Sequence, residues 1–317
     1  MTGKRKVVLS GGSGFLGRRL AGELPNQGYD VVVLTRTPSS QTGPVKQIQW
    51  DGKTLGDWVR QLNGALAVVN LAGRSVNCRY HARNRQGILE SRVDSTRVLG
   101  DAIARCAQPP RVWLNSSTAT IYKHSLERPM DEATGEIGPT PEARDAFSVE
   151  VARAWERAFQ EARTPATRKV ALRTALVFGA GEGGAYRVLR RLVRLGLGGR
   201  MADGTQFVSW IHEEDFCRAI EWLIGRDDIS GPVNLAAPNP VPNREMMQAL
   251  RQLCGVKFGL PATRWMLEAG AFLLRTETEL ILKSRRVIPG RLTAAGFEFR
   301  FVKLEGALRD IERRRVA

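Results

Sequence analysis

A chain of 317 residues can bury one large core or two that share an interface, and 43% apolar with 25% charged residues describes an ordinary globule. The net charge of +16 is not ordinary, yet no recognition motif or aromatic-interleaved basic run accompanies it; a solvated basic surface is expected, with neither nucleic acid nor membrane as partner. Four scattered cysteines without a CxxC pair indicate no metal site and no disulfide framework and fit reduced thiols in the cytoplasm, and no stretch reaches the roughly 18 uncharged residues of a membrane helix.

The first predicted element, "KVVLS", is a β-branched strand that runs through a glycine-rich turn into a helix ending near Leu24. In "VVLSGGSGFLGRRL", Gly11, Gly14 and Gly17 recur every third residue. Such a loop turns sharply, lets its backbone approach a pyrophosphate, and hands it to the free N–H groups of a helix N-terminus. A GxxGxxG run alone is weak, since glycines also punctuate turns, but the strand–loop–helix context favours a dinucleotide cradle comprising Gly11, Ser13, Gly14, Phe15, Leu16 and Gly17.

The second strand, "DVVVLTR", ends in Thr35 and Arg36, where an NAD site would place a carboxylate for the ribose 2′-hydroxyl. A hydroxyl and a guanidinium suit a 2′-phosphate, so NADP(H) is the expected cofactor; the alternative is an Arg36 that faces water. "LAVVNLAG", a long helical pattern through "ILESRVDSTRVLGDAIARC", "RVWLNSS", the helix "DAFSVEVARAWE", and "KVALRTALVFG" continue the alternation, and "GPVNLAAP" reads as one more strand. Buried strands alternating with helices predict an α/β fold with a Rossmann-type, doubly wound parallel sheet.

Three excursions interrupt the pattern: the long polar loop "KHSLERPMDEATGEIGPTPEARDA", a basic helix after "GEGG", and the stretch from about Pro240 onward, where Phe297, Phe299 and Phe301 alternate as on one strand face. The expected division is an NADP-binding domain over 1–180, its sheet completed by about 205–238, with 181–204 and 239–317 as a smaller α/β cap.

With "GGSGFLG", "NLAG", "ESRVDSTRVL", "SSTATIY", "AWE", "ALRTALVFG", "SWIHEEDF" and "SRRVIPGRLTAAGFEF" in this order, the chain resembles an atypical member of the extended short-chain dehydrogenase/reductase superfamily. It is close to nucleotide-sugar epimerases and dehydratases. More narrowly it resembles epimerase-like proteins once labelled cell-division inhibitors, which carry a C-terminal domain of unknown function. The resemblance implies that Leu71, Ala72 and Gly73 line the adenosine side, that Arg92 reaches in from the following helix, and that Val177 sits beside the nicotinamide, with Ser116 also near the cofactor. Asp51 either meets the adenine edge or forms a surface pair. Gly87 departs from relatives that can carry an acid there. By the same resemblance, the helices flanking "ESRVDST" and "AWE" are the natural surfaces for a homodimer, should one form.

In this superfamily a serine or threonine, a tyrosine and a lysine four residues later act together, the last two stacked on one helix face. Thr118 supplies the first. At the other two positions stand Phe147 and Val151, and no YxxxK occurs anywhere in the chain. Tyr122 is the candidate substitute acid; the competing and favoured reading is a tyrosine packed beneath the long loop. Lys123 is expected to point elsewhere. His212 could titrate near neutrality but more readily fixes the turn before a helix for which Asp215 is the expected N-cap. Ser116 and Ser117 lack the partners of a nucleophile. The function expected is an NADP(H)-dependent oxidoreductase or epimerase acting on an unknown hydroxyl or carbonyl substrate, the rival a catalytically silent NADP(H)-dependent binding module.

Overall fold

The computed structural model describes residues 5–38, 45–273 and 277–316. Strands β1 (Arg5–Ser10), β2 (Tyr29–Thr35), β3 (Lys46–Gln49), β4 (Ala67–Asn70), β5 (Val112–Thr118) and β6 (Arg168–Thr174) are followed by β7 (Leu176–Phe178), β8 (Phe207–Val208), β9 (Trp210–His212), β10 (Gly231–Leu235) and β11 (Val241–Pro242). The helices are α1 (Phe15–Glu23), α2 (Ala82–Ala104), α3 (Ala146–Glu161), α4 (Ala185–Arg194), α5 (Glu213–Ile224), α6 (Asn243–Leu253), α7 (Arg264–Leu273), α8 (Glu279–Leu282), α9 (Gly290–Ala294) and α10 (Leu304–Val316). No described helix is long and apolar enough to cross a membrane.

Seven strands form one parallel sheet in the order β10-β6-β5-β4-β1-β2-β3, the Rossmann-type doubly wound arrangement read from the sequence. Alternate residues explain the double winding. Val7, Leu9, Val33, Val69 and Leu114 meet Leu20 of α1 and Phe216 and Ile220 of α5, whereas Val8, Val32, Val68 and Trp113 meet Leu99 of α2 and Phe159 of α3. Strand order reverses between β1 and β4, which opens the crevice where such sheets bind ligands. "GPVNLAAP" supplies β10 at the sheet edge, paired with β6.

Helix α3 lies against the end of β5 and β6 through a buried ion pair. Arg173 Nε and Nη2 each donate 2.8 Å bonds to the Glu156 carboxylate, which also accepts from Ser117 Oγ at 2.6 Å. Burial opposes the charge on Arg173, but Glu156 outweighs it and holds the guanidinium above its ordinary pKa. The remaining Nη1 donates to the Tyr122 hydroxyl at 2.9 Å.

The late aromatics do not form a strand. Residues 297–302 are irregular and pair with no strand: Phe297 packs on Trp222 and Phe299, whereas Phe301 lies on His212. The alternation is real, but the backbone bonds go to a side chain, since the N–H groups of Arg300 and Phe301 both donate to Asp215. Asp215 is therefore not the N-cap of α5; His212 is, its Nδ1 accepting from the Glu214 N–H at 3.1 Å. Its Nε2 lies 3.3 Å from Asp310 of α10, near but not aligned for a hydrogen bond.

Two outcomes are expected. Glu156→Gln leaves a buried guanidinium without its carboxylate and should lower unfolding free energy by roughly 3 kcal/mol or more; a loss below about 1 kcal/mol in urea titration would contradict the role given to the pair. Burial depresses the His212 pKa from 6.5 to about 4. The unfolded chain thus binds the proton first, and stability falls as pH drops from 6.5 toward 4, by roughly 3 kcal/mol at most. His212→Asn, which keeps an N-cap, should flatten that slope in unfolding curves taken across this window.

Candidate functional site

The glycines at the end of β1 are forced by close backbone contact. Gly11 has φ +77°, and a Cβ there would stand 2.6 Å from the Leu71 carbonyl. At Gly17 it would meet the Gly11 oxygen at 2.3 Å, and at Gly12 the Val33 side chain at 2.4 Å. Gly14 is different. It is the N-cap of α1, makes no side-chain cap, and its Cβ would meet only the Gly11 oxygen, at 3.5 Å. Open space therefore faces the unsatisfied N–H groups of α1, with no acidic residue in the first turn, a cradle that suits an anion. Phe15 turns away and seats its ring on Gly181 and Gly184 after β7, while Leu16 packs toward the core; of these two and Ser13, the backbone is what the cradle presents.

At the end of β2, Thr35 is buried and its hydroxyl accepts from the Thr37 N–H at 3.4 Å, closing the turn. Arg36 is exposed and forms no hydrogen bond or ion pair with the described residues. An unpaired guanidinium at this edge fits the 2′-phosphate of NADP(H), and with the open space at Gly14 the residues present fit the dinucleotide. Asp51 is committed elsewhere. It accepts from the N–H groups of Lys53 and Thr54 and from the Thr54 hydroxyl, bonds that hold its pKa down at about 2.

The crevice floor carries a polar ladder that the sequence did not disclose. Ser10 donates to Asn70 at 2.6 Å, Asn70 to Asn115 at 2.7 Å and to Thr96, and Trp155 to Thr96 at 3.0 Å. Asn70 also accepts from the Ala72 N–H, shaping the Leu71–Ala72–Gly73 turn. Arg92 lies over Gly73 and over the Trp155 ring at 5.1 Å, donating to the carbonyls of Arg74 and Ile88. Burial lowers its pKa to about 10, and among the described residues no carboxylate pairs with it. A Cβ at Gly87 would stand 2.7 Å from the Arg74 guanidinium.

At the C-terminal end of β5, Ser116 and Thr118 are half-buried on one face, and Ser117 points to Glu156 on the other. Thr118 caps the short turn after β5, its Oγ accepting from the Thr120 N–H and donating to the Thr120 hydroxyl at 3.1 Å. Val177 is buried in β7, paired with Ile211. Tyr122 takes the packed placement: it is 1% exposed, donates to Asn234 at 3.0 Å and accepts from Arg173. Those partners close the phenol off from the crevice, which counts against it as an acid. Lys123 turns outward to Glu136. Phe147 and Val151 share the α3 face that holds Trp155, Val151 buried and Phe147 edge-on to Tyr80 with ring centroids 5.0 Å apart.

The C-terminal region reaches into this end of the sheet. Lys283, fully buried, pairs with Asp145 and donates to the Thr120 carbonyl at 2.6 Å; burial brings its pKa down to about 8. Arg285 Nε donates to the Thr120 hydroxyl at 3.2 Å, and Ser148 donates to the buried Glu279. None of these was evident from sequence, because residues 131 to 165 positions apart share no local pattern. His212, Glu214 and Asp310 bring ligand-type atoms within 4.8 Å of one another, but arginines 300, 313 and 314 already hold both carboxylates.

Comparison with known proteins agrees with this geometry. Residues 262–311 match a domain of unknown function, DUF1731. The chain is 31% identical to the epimerase family protein SDR39U1 of Bos taurus, over 96% of this chain and 99% of that one. It is 29% identical to the epimerase family protein YfhF of Bacillus subtilis, with coverage of 96% and 97%. A crystal structure of human epimerase family protein SDR39U1 with NADPH superposes with a TM-score of 0.83 at 30% identity, covering 97% of this chain and 99% of that one. Residues 7–236 match the NAD dependent epimerase/dehydratase family model, and the chain belongs to that family.

Proposed function

We propose that the chain binds NADP(H) and acts as a reductase or epimerase on a hydroxyl or carbonyl substrate. The observation that carries the cofactor is the pairing of an open cradle at Gly14 with an Arg36, just after the neighbouring strand, that has no partner among the described residues. The human relative's crystal structure with NADPH supports the same choice. Gly11, Gly14 and Gly17 would surround the pyrophosphate, Arg36 would hold the 2′-phosphate, Leu71 to Gly73 would line the adenosine, and Val177 would flank the nicotinamide. When bound, that ring supplies hydride transfer. Thr118, fixed by its bonds to Thr120, would orient the substrate oxygen, and the apolar faces of Phe147 and Val177 would keep water out.

A second reading, an NADP(H)-dependent binding module without turnover, is favoured by one specific fact: the positions of the usual tyrosine and lysine hold Phe147 and Val151.

Calorimetry separates the cofactor claims. The Gly14→Ala methyl enters open space, so the protein should fold normally yet lose NADPH affinity by about tenfold or more. Arg36→Ala should weaken NADPH by about tenfold or more while leaving NADH nearly unchanged. Equal losses for the two cofactors would remove the case for NADP(H). Turnover is tested by screening carbonyl compounds and nucleotide sugars for NADPH consumption; activity abolished by Thr118→Ala supports the enzyme, and saturated binding with no turnover supports the module.

A further inference from the structure

Part of the basic excess collects at one place outside the crevice. A cleft of about 580 Å³ opens between α4 and α10, lined by Arg187, Arg190, Arg191, Arg194 and Leu195 of the α4 segment and by Arg315 of α10. None of these residues belongs to the crevice proposed for NADP(H). Among the described residues, no acidic side chain lines the cleft.

The spacing explains the lining. Positions 187, 190, 191 and 194 fall on one face of a helix, while Tyr186 and Val193 turn into the core. Arginines three and four residues apart on a helix repel one another, so this face costs stability unless anions offset it. Two carboxylates do so in part. Arg187 Nη1 donates to Glu182 at 2.9 Å, and Glu312 accepts from both Arg190 and Arg315 and from the Tyr186 hydroxyl. Arg190 and Arg315 each use Nε and Nη2 on Glu312, which fixes their planes and leaves Nη1 of each for a further acceptor. Arg191 and Arg194 have no hydrogen-bond or ion-pair partner among the described residues. Five guanidinium groups and two carboxylates thus leave an excess of three positive charges around the cleft. The negative end of the α4 dipole favours Arg191 and Arg194 in the last turn, but it does not account for Arg187, nor for Arg315, which arrives from another helix.

We propose that this cleft binds a polyphosphate group, two or three linked phosphates either free or carried on a small molecule. A phosphate monoester brings about −1.5 to −2 charges at neutral pH, so a single one leaves the excess partly unmatched, whereas a linked pair or trio offsets it. Guanidinium forks match phosphate oxygens two at a time. Positions 187 to 194 extend over about 10 Å of helix axis, longer than one phosphate. The contacts expected are Nη1 of Arg190 and Arg315 and the free guanidinium groups of Arg191 and Arg194, with Leu195 offering an apolar edge to whatever organic group carries the phosphates. The site does not depend on the NADP(H) reading.

Calorimetry with inorganic tripolyphosphate, pyrophosphate and orthophosphate, free of divalent metal and at about 0.15 M salt, tests it. One site per chain is expected, tightest for tripolyphosphate and at least about tenfold weaker for orthophosphate. Arg191→Gln combined with Arg194→Gln should weaken tripolyphosphate by about tenfold or more. Arg105→Gln combined with Arg163→Gln removes the same charge elsewhere and should change the affinity by less than about twofold. All four side chains are exposed, so both double variants should keep the melting temperature of the unaltered protein. Binding undiminished by saturating NADPH supports a separate site; binding lost to NADPH shows the phosphates occupying the cofactor cradle and overturns the proposal. Equal losses in the two double variants, no heat with any of the three anions, or binding seen only with phosphatidylglycerol vesicles or an oligonucleotide would overturn it as well.

Discussion

Three backbone segments meet at van der Waals distance where β1 ends, and the rest of the site depends on that meeting. Gly11 lies against the carbonyl of Leu71, Gly17 against the carbonyl of Gly11, and Gly12 against Val33. With no Cβ at these points, α1 starts directly above the place where strand order reverses. Its unsatisfied N–H groups then open into the crevice rather than into packed protein. A methyl group at Gly17 would push the helix off the loop, and one at Gly11 or Gly12 would force the loop away from Leu71 or Val33.

The second organising feature is the use of arginine and lysine as internal ties. Glu156 is held by Arg173, Asp145 by Lys283, Glu214 by Arg300 and Arg314, and Glu312 by Arg190 and Arg315. Two of these, Lys283–Asp145 and Arg190–Glu312, join segments more than a hundred residues apart. Part of the basic composition is therefore structural: acids that would be costly to bury alone are each matched, and the cations that match them span the junction between the sheet and the C-terminal region. The long polar loop has the same function. Met130 exchanges backbone bonds with Arg286 and Ile288, and Ser284 bonds the Ser125 carbonyl, so the loop seats that region on the sheet edge.

Much of this was legible in the sequence because it is local. Apolar runs of strand length, helical periodicity and the spacing of Gly11, Gly14 and Gly17 are short-range patterns, and they located the sheet, its edge strand and the cradle. The errors lie where a local pattern was satisfied from elsewhere. Phe297, Phe299 and Phe301 alternate as in a strand, but the nearby N–H groups bond the Asp215 carboxylate, so no ladder forms. Asp215 has the character of an N-cap and is drawn away by the same bonds, leaving the role to His212. Ser148 meets Glu279, and Thr120 and Asp145 meet Lys283 and Arg285, only through the tertiary fold, and no spacing rule joins them.

Lys283 extends that dependence to the architecture as a whole. Its ammonium ends between the Thr120 carbonyl and the Asp145 carboxylate, at the start of α3, with both charged groups wholly shielded from water. The Lys283–Asp145 pair therefore joins the C-terminal region to the start of α3 at a point that water does not reach, and each charge there depends on a residue from the other part of the chain.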